Sequence, residues 1–402
     1  MPQIFDVAVI GGGIAGASFA YRVAGHRSLI LLERENQVGY HSTGRSAAEF
    51  SSQFQPPWVS TLAESSFNFL SNPPAGFTDI DLLIPRGSLV IASREQAHLI
   101  ESAYSQVLFT SPESRMLHLD DALAMVPFLN ANYVEAAFYD PRNWDMEVDS
   151  LLQGYLRLAR RAGAQVQLAS PVTSIHRQGG VYQLRTPTGD VLCRKIVNAA
   201  GAWADDFAAM AGLDRLRIVP HRRTAITVDG PEGMDLSTLP AVNEVSEAFY
   251  FKPESGRIMV SPADATPSEA CDAQPEELDI AYAAHYLSES TTLPITQITH
   301  KWAGLRSFAP DKRQVVGFSP QDENFFWLAG QGGSGILTSP ALSAWAAGLF
   351  LEGAPPDELC KAGLQSDVFS PARLSRGVSR RGGPAPECRH AAQYRNPWND
   401  LD

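Results

Sequence analysis

The sequence predicts an α/β fold, mixed α+β overall, and three observations favour it. A short apolar run at residues 6–10 leads into a glycine-rich loop and then a helical segment. A second glycine loop at residues 332–335 precedes an apolar helix near the end of the chain. Between them, residues 221–309 alternate in the manner of antiparallel strands. Together these patterns predict a parallel sheet built from separated segments, with a mainly antiparallel sheet inserted between them.

The first forty residues have the spacing of a Rossmann-like nucleotide-binding unit. Gly11 allows a tight turn, and Gly13 lets the backbone approach a pyrophosphate. Gly16 lets the helix pack closely on the strand, and the exposed N–H groups at the helix start favour the pyrophosphate. A second strand at residues 29–33 ends in Glu33, whose carboxylate can accept hydrogen bonds from ribose hydroxyls. This motif alone does not separate NAD from FAD.

Apolar spacing, caps and breaker residues predict the remaining elements. Predicted helices cover residues 58–70, 93–106, 119–126, a segment that Asp149 caps and Gly163 ends, and 336–351. Predicted strands cover residues 87–92, 164–169, 172–177, 181–186, 191–194, 195–201, 222–228, 249–252, 256–261 and 325–330.

These elements predict two interleaved domains and a tail. Residues 1–85, 147–220 and 310–370 form the predicted nucleotide-binding domain, and residues 86–146 and 221–309 form the predicted substrate domain. Residues 371–402 are polar and lack periodicity, which predicts a disordered tail, with a nucleic-acid-binding arm as the alternative. A simple NAD dehydrogenase more often has one continuous nucleotide-binding half, so the split favours FAD.

Composition and charge restrict the partners and the location of the protein. The chain has 402 residues and a net charge of −12 at pH 7, which disfavours nucleic acid and anionic membranes as partners. Its apolar stretches are shorter than a membrane span, so we expect no stable membrane insertion. The first strand begins near the N-terminus, and we expect no signal peptide. The four cysteines lack metal-ligand spacing, which predicts free thiols, no metal site and a cytoplasmic location.

Four segments together resemble the glycine/D-amino-acid oxidase superfamily of FAD-dependent oxidoreductases. They are residues 9–16, 196–203, 304–308 with 311–317, and 330–335. Within that superfamily the chain most resembles the bacterial D-arginine dehydrogenases, through residues 33–34, 40–48, 198–203, 302–308 and 331–333. The resemblance covers roughly residues 4–375 and implies that the cofactor is FAD.

The resemblance implies an extended FAD site. Ala15, Glu33 and Arg34 would contact the adenosine and pyrophosphate, and Val172 would present its backbone to the adenine. The second glycine loop would place a helix N-terminus near the flavin pyrimidine ring, where reduced flavin becomes anionic. The implied cofactor residues are Gly11, Gly13, Ala15, Gly16, Glu33, Arg34, His41, Ser42, Thr43, Arg45, Ser46, Ala47, Ala48, Val172, Gly201, Gly332, Gly333, Ser334, Gly335, Ile336, Leu337 and Thr338.

The attachment of the flavin is predicted from a missing cysteine. Relatives that bind flavin covalently do so through a cysteine just after the region that matches Gly304. This chain has no cysteine there, so we expect non-covalent FAD. A histidyl attachment at His41 is the alternative.

The resemblance also implies an amino-acid or amine substrate, oxidised at its α-carbon by hydride transfer to flavin N5. Arginine forks bind carboxylates bidentately, and Arg223 and Arg306 are the implied pair, with Tyr250 as a hydroxyl donor. Strand alternation should point Arg222 the other way. The alternative role for the two arginines is a structural ion pair, and the alternative for Tyr250 is a position in the hydrophobic core. The substrate nitrogen must be neutral before the α-carbon can lose a hydride. Glu49 is the candidate base that would take the proton from the nitrogen, with solvent or a bound water as the alternative.

Three positions depart from the D-arginine dehydrogenases. Those enzymes carry a glutamate that binds the guanidinium where this chain has Ser88, a tyrosine at Phe54 and a histidine at Glu49. Without a carboxylate partner a buried guanidinium is strongly destabilised. We therefore expect a substrate other than D-arginine, with a neutral side chain unless Glu49 supplies the missing charge. The predicted substrate-pocket residues are Phe54, Ser88 and Gly333.

The leading functional hypothesis is oxidation of a D-amino acid to an imino acid, which water hydrolyses to a 2-oxo acid and ammonia. The alternatives are a secondary amine, a glycine-like compound or a 2-hydroxy acid as substrate, and a flavin-binding protein without catalysis. Some oxidases of the superfamily place a lysine near flavin N5 to activate oxygen. The strand at residues 257–261 has none, which favours a dehydrogenase whose electron acceptor the sequence does not indicate.

Overall fold

The computed structural model describes residues 3–51 and 55–374. In chain order the helices are α1 (Ile14–Val23), α2 (Pro57–Ser71), α3 (Ala97–Val107), α4 (Leu119–Met125), α5 (Val148–Arg161), α6 (Ala204–Met210), α7 (Glu277–Ser290), α8 (Ser339–Leu351) and α9 (Asp357–Lys361), with 3₁₀ turns at Gly201–Trp203 and Pro371–Leu374. The strands are β1 (Ile4–Ile10), β2 (Leu29–Leu32), β3 (Glu49–Phe50), β4 (Leu83–Pro85), β5 (Ser88–Ala92), β6 (Arg115–Leu117), β7 (Ala136–Asp140), β8 (Trp144–Met146), β9 (Gln165–Gln167), β10 (Ser174–Gln178), β11 (Val181–Thr186), β12 (Gly189–Asn198), β13 (Val219–Val228), β14 (Ala241–Glu244), β15 (Tyr250–Glu254), β16 (Arg257–Ser261), β17 (Thr266–Pro267), β18 (Ile298–Phe308), β19 (Val315–Ser319) and β20 (Asp322–Ala329).

The first sheet has a parallel centre and antiparallel margins. β1 pairs in parallel with β12 and β2, β9 continues in parallel beyond β2, and β20 pairs in parallel with β12. β10 and β11 extend the β12 side as antiparallel strands, and β19 pairs antiparallel with β20. Helices α1, α5 and α8 pack around Phe19, Tyr155 and Trp345 on one face, and Phe207 of α6 packs on the other. Covering both faces explains the continuous apolar runs in these strands.

The carboxyl ends of the central strands form the edge where ligands bind in such sheets. β1 ends at Ile10, β2 at Leu32, β12 at Asn198 and β20 at Ala329. Because parallel strands end at the same edge, the glycine loop after β1, Glu33, and the loops after β12 and β20 lie together. The mixed α/β fold predicted from the sequence is confirmed.

The second sheet has nine strands in the order β17-β13-β16-β15-β14-β5-β7-β6, with β18 also paired to β13. β14 and β5 pair in parallel, and β13, β15, β16 and β18 are joined by antiparallel pairing. One face, which includes Ile226, Phe251 and Val260, packs in a core with α4 and α7. Since side chains alternate along a strand, Arg223 and Tyr250 belong to the opposite face. A three-stranded sheet, β3-β8-β4, lies outside both larger sheets.

Several predicted elements have different bounds in the structure. The last long helix begins at Ser339 rather than at 336, because residues 334–338 form turns in which the Thr338 N–H donates to Ser334 O at 3.1 Å. The strand predicted at 164–169 shortens to β9, because Ala169 has a φ of +49° and turns the chain out of the sheet. The strand predicted from 172 begins at Ser174.

The first residues of the predicted tail form regular structure. Residues 371–374 form a 3₁₀ turn in which Pro371 is buried. The Arg373 side chain ties this turn to the loop between β18 and β19 through Asp311, with 2.7 Å between Nε and Oδ2. Residues 375–402 of the predicted tail, and Phe54, lie outside the described residues.

Candidate active site

The glycine loop after β1 makes the close contacts that its spacing predicts. Gly11 has a φ of +104°, and a Cβ there would lie 2.4 Å from Ala199 O. A Cβ on Gly16 would lie 2.0 Å from Gly11 O. At Gly13 the nearest atom to a Cβ would be Thr43 Oγ1, at 3.2 Å, and Gly13 lines a large cavity. The loop therefore holds strand and helix in contact while its backbone stays open towards the cavity.

Glu33 is fixed at the end of β2 by two backbone groups. Its Oε2 accepts a hydrogen bond from the Gly12 N–H at 2.6 Å, and its Oε1 accepts one from the Glu35 N–H at 2.9 Å. The side chain is buried yet lines the cavity. A carboxylate has about four lone-pair sites, so acceptor capacity remains for a ligand beyond these two bonds.

The cavity runs between the two large sheets and brings together most of the predicted cofactor residues. One end is lined by the glycine loop and by Ser170–Val172, and the other by Tyr250 and Arg306. The predicted cofactor residues that line it are Gly11, Gly13, Ala15, Glu33, Arg34, His41, Ser42, Thr43, Arg45, Ser46, Ala47, Val172, Gly201, Gly332, Gly333, Gly335 and Ile336.

Five predicted cofactor residues lie behind the cavity wall. Gly16 packs beneath the glycine loop, and Ala48, with a φ of +41°, accepts the Met146 N–H through its carbonyl. Ser334, Leu337 and Thr338 are buried in the turns that precede α8. The Thr338 hydroxyl donates to Ser334 O at 2.8 Å. These three side chains therefore pack inside the protein, just before the start of α8.

Trp203 lines the cavity and had no predicted role, although it ends one of the matching segments. The Arg34 guanidinium carbon lies 4.7 Å from the Trp203 ring centroid, and the His41 ring lies 4.6 Å away. His41 also contacts Glu35, with 3.0 Å between Nε2 and Oε1. Trp203 thus links the end of β2 to the loop at residues 39–47, which we call the wrapping loop.

Two arginines and a tyrosine line the cavity where the second sheet faces the first. Arg223 on β13 is paired in register with Gly304 on β18, and Arg306 lies two residues further along that strand. Burial and the neighbouring charge of Arg306 lower the pKa of Arg223 to about 10, while Tyr250 and Asp264 oppose the shift. Arg223 stays charged at neutral pH, and its Nε is buried without a hydrogen-bond partner. The arrangement suits an anion.

Gly333 provides the space for the Arg306 guanidinium. A Cβ at residue 333 would lie 3.2 Å from Arg306 Cζ, so an alanine would press on the charged group. Gly332 lies beside Phe308, with a φ of +55° and a hypothetical Cβ 2.3 Å from the ring. The second glycine loop therefore shapes the end of the cavity that holds the arginines.

Arg222 points to the other face of β13, as alternation predicts. Its Nη2 lies 2.9 Å from Asp279 Oδ2, and its Nη1 pairs with Glu276. Both partners belong to the α7 region, away from the cavity. Arg222 is therefore part of a buried ion-pair network and is not available to a ligand.

Glu49 does not lie among the cavity-lining residues. It pairs with Asp145 across β3 and β8, and its Oε2 accepts a 3.3 Å hydrogen bond from Asn143 Nδ2. Burial raises the pKa of Glu49 above its ordinary value of 4.5, against the opposing charge of Lys252. Lys252 is itself buried and paired with Asp145 at 2.9 Å. β3 holds the Glu49 side chain in this polar cluster, and its role as the base stays a prediction.

Ser88 likewise lies outside the cavity wall. It is buried on β5, and its Oγ accepts a 2.9 Å hydrogen bond from Asn243 Nδ2. In the second sheet, β14 and β15 lie between β5 and β16, and β16 is the neighbour of β13, which carries Arg223. Ser88 is thus paired with a neutral amide rather than with a charged group. Lys252, two residues beyond Tyr250 on the same face of β15, is the polar residue there that sequence reasoning missed, although the alternation of β15 contained the signal.

Metal and membrane features are absent from the described ranges. Within residues 3–51 and 55–374, no cluster of three or more His, Cys, Asp or Glu side chains could hold a metal ion. The same ranges contain no helix long and apolar enough to cross a bilayer. Cys193, Cys271 and Cys360 are free thiols.

Comparison with known proteins identifies a family and several relatives. Residues 6–349 match the model of the DAO family, described as FAD dependent oxidoreductase. The chain is 25% identical over 353 residues to glycine oxidase of Geobacillus kaustophilus, covering 85% of this chain and 91% of that protein. It is 24% identical over 379 residues to mitochondrial dimethylglycine dehydrogenase of Mus musculus, covering 88% of this chain. The match spans only 43% of that longer enzyme.

Solved structures show the same fold. Glycine oxidase from Geobacillus kaustophilus superposes with a TM-score of 0.77 at 23% identity, covering 94% of this chain and 100% of that one. L-proline dehydrogenase from P. horikoshii gives 0.76 at 20% identity, with 93% and 98% covered. Since the family model spans most of the chain and the cavity has the expected glycine loop, the protein belongs to the DAO family of FAD-dependent oxidoreductases, and its cofactor is FAD.

Proposed function

We propose that the protein oxidises the α-carbon of a D-amino acid other than D-arginine to an imino acid. Water then hydrolyses the imino acid to a 2-oxo acid and ammonia. The observation that carries the proposal is the pair Arg223 and Arg306, which meet at one end of the cavity. Bound FAD would supply the hydride acceptor, at flavin N5.

The chain's own residues fit FAD along the cavity. The missing Cβ of Gly13 leaves room for a pyrophosphate beside the start of α1, whose N–H groups favour an anion. Glu33 offers lone pairs at the end of β2, where a ribose would lie. None of the described residues lining the cavity is a cysteine, which supports non-covalent attachment.

The arginine pair would bind the substrate carboxylate. Neither Arg223 nor Arg306 forms a salt bridge with a carboxylate among the described residues, and the charge of Asp264 offsets only part of the lowering of the Arg223 pKa. Two like charges in a buried site favour an anionic ligand, because the ligand removes their mutual repulsion. Tyr250 would add a hydroxyl donor, and the carboxylate would then orient the α-hydrogen towards the flavin.

The surroundings support a neutral substrate side chain. The position at which D-arginine dehydrogenases carry a guanidinium-binding glutamate is Ser88, which is hydrogen-bonded to Asn243. Glu49 has a raised pKa and lies behind the cavity wall, so it is a poor replacement for the missing charge. The substrate ammonium group would then lose its proton to solvent or to a bound water rather than to Glu49, which leaves the neutral amine needed for hydride loss from the α-carbon.

Anaerobic flavin reduction tests the proposal directly. The purified yellow protein would be mixed without oxygen with matched pairs of D- and L-amino acids, and the loss of flavin absorbance followed. We expect bleaching by D-Leu, D-Met and D-Phe, with kcat/KM above that for D-Arg and for each L-enantiomer. A higher kcat/KM for D-Arg would refute the neutral side chain, and faster bleaching by L-enantiomers would refute the stereochemistry.

A second candidate is oxidation of glycine or of a secondary amine. The matches to glycine oxidase and dimethylglycine dehydrogenase favour it, and the same arginine pair would bind the carboxylate of those substrates. Including glycine, sarcosine and N,N-dimethylglycine in the panel separates the two candidates. Protein that no amine or 2-hydroxy acid bleaches would instead favour a non-catalytic flavin-binding role.

We also propose that the protein is a dehydrogenase. The strand β16, at residues 257–261, carries no lysine. The nearby Lys252 is buried and already paired with Asp145 and Glu254. Hydrogen peroxide release at the rate of anaerobic flavin reduction would show an oxidase instead.

A further inference from the structure

The wrapping loop is fixed to the glycine loop on its nucleotide side. Thr43 Oγ1 accepts the Ile14 N–H at 3.0 Å, in the first turn of α1. The Gly39 N–H donates to Gly12 O at 3.2 Å. Most of residues 39–47 line the cavity, so bound FAD would contact this loop directly.

The same loop is fixed to the substrate-binding sheet through Arg45. The Arg45 guanidinium donates to Ala303 O at 3.1 Å and to Ala273 O at 2.9 Å, and it forms an ion pair with Asp272. Its own carbonyl accepts the Trp302 Nε1–H at 3.2 Å. The side chain is only 15% exposed, so these bonds are largely shielded from water. Arg45 was predicted to bind FAD, yet its charged group is directed at the other sheet.

A second contact reaches the strand that carries the candidate carboxylate-binding residue. Ser42 Oγ donates to Leu305 O at 2.6 Å, and Leu305 directly precedes Arg306 on β18. Ala303 and Trp302, which Arg45 contacts, lie on the same strand. The wrapping loop therefore bonds to β18 at three points within four residues of Arg306.

We infer that Arg45 is a positioning residue that couples FAD binding to the carboxylate site at Arg306. This inference rests on the proposed function. FAD that orders the wrapping loop would, through Arg45, hold β18 and Arg306 in the binding geometry. Because coupling between two sites is reciprocal, a carboxylate on Arg306 would in turn tighten FAD binding, by about 5–150-fold for couplings of ordinary size.

The test measures FAD release from the holoenzyme with and without benzoate, a carboxylate that has no α-hydrogen to lose. Benzoate binding is read from the change in flavin absorbance, and FAD release from the rise in free-flavin fluorescence after dilution. Arg45→Met keeps the aliphatic stem and removes the donors, and Arg45→Lys restores the charge alone. Arg94→Met is the matched control, because Arg94 is 90% exposed, pairs with Glu135 and does not line the cavity.

In the wild type and in Arg94→Met we expect benzoate to slow FAD release at least 5-fold. In Arg45→Met we expect faster release, weaker benzoate binding and a benzoate effect close to 1-fold, with partial recovery in Arg45→Lys. A full benzoate effect in Arg45→Met, or a wild type that binds benzoate without slowing FAD release, would overturn the inference.

Should Arg45→Met not retain FAD, Trp302→Phe removes one loop-to-β18 bond and should reduce the benzoate effect. If the wild-type flavin spectrum does not respond to benzoate, the carboxylate site itself fails, and the inference with it.

Discussion

Arg222 and Arg223 are adjacent in sequence and lie on opposite faces of β13. Arg222 is enclosed by Asp279 and Glu276, whereas Arg223 faces the cavity with a buried, unpartnered Nε. The same side chain is therefore part of an ion-pair network at one position and, on the proposed function, a ligand-binding group at the next. This contrast gives two substitutions with opposite expected effects.

Arg223→Met should lower kcat/KM on the order of 10–100-fold, the loss expected for a charge-assisted hydrogen bond, with little change in the free energy of unfolding. Arg222→Met should instead lower the free energy of unfolding by about 3–5 kcal/mol, because it leaves Asp279 buried without its partner. Steady-state kinetics and urea unfolding of the FAD-saturated proteins measure the two effects. Equal loss of stability in both variants would contradict the assigned faces.

Gly333→Ala should raise KM more than it lowers kcat. The added methyl group would press on the Arg306 guanidinium from 3.2 Å, and the arginine would have to shift by a few tenths of an ångström. Gly332→Ala is the comparison, because it combines a φ of +55° with a Cβ 2.3 Å from Phe308. That variant should lose thermal stability, which Gly333→Ala should largely keep. Thermal unfolding and KM determination distinguish the two variants. An unchanged KM in Gly333→Ala would contradict a role for Arg306 in binding the substrate.

Glu33→Gln should weaken FAD binding about 5–150-fold, through loss of 1–3 kcal/mol. A glutamine offers one acceptor oxygen, so its amide NH₂ would face the N–H of either Gly12 or Glu35. FAD affinity can be measured by flavin fluorescence during titration of the apoprotein. The control is Glu64→Gln, whose carboxylate is 40% exposed and pairs with Arg142. Comparable FAD affinity in both variants would remove Glu33 from the cofactor site.

Glu49 should make stability depend on pH in a direction opposite to that of an ordinary ion-paired carboxylate. Its pKa is raised by burial, so between 4.5 and the raised value the folded state binds more protons than the unfolded state. Stability from this group therefore falls as pH rises through that window, and is constant above it. The free energy of unfolding of Glu49→Gln, relative to wild type, should increase with pH across the window. Urea unfolding at a series of pH values measures the difference, and parallel curves for the two proteins would exclude a raised pKa.

Local pattern was enough to predict the glycine loop, Glu33 and the opposite orientations of Arg222 and Arg223. In each case a turn or a strand alternation fixes where the side chain goes, and the relevant neighbours are close in sequence. The FAD cofactor could be predicted because several such local motifs agreed with one another.

Contacts between distant strands could not be predicted in the same way. Glu49 lies in a cluster with Asn143, Asp145 and Lys252 because β3, β8 and β15 meet, and no local periodicity encodes that meeting. Arg45 was assigned to the cofactor from its position in a matching segment, whereas its direction depends on carbonyls at Ala273 and Ala303. The start of α8 was wrong by one turn because residues 336–338 are apolar or helix-compatible but are held in turns.

The cofactor cavity has walls from almost the whole length of the chain, from Ile10 to Ile336. β1 cannot complete its pairing until β12 has been synthesised. The loop after β20, which lines the cavity, is made later still. During synthesis, the ribosome must therefore release more than 330 residues before the site can exist. We expect FAD to bind as a late ligand of a nearly complete fold, stabilising it by mass action rather than guiding its first steps.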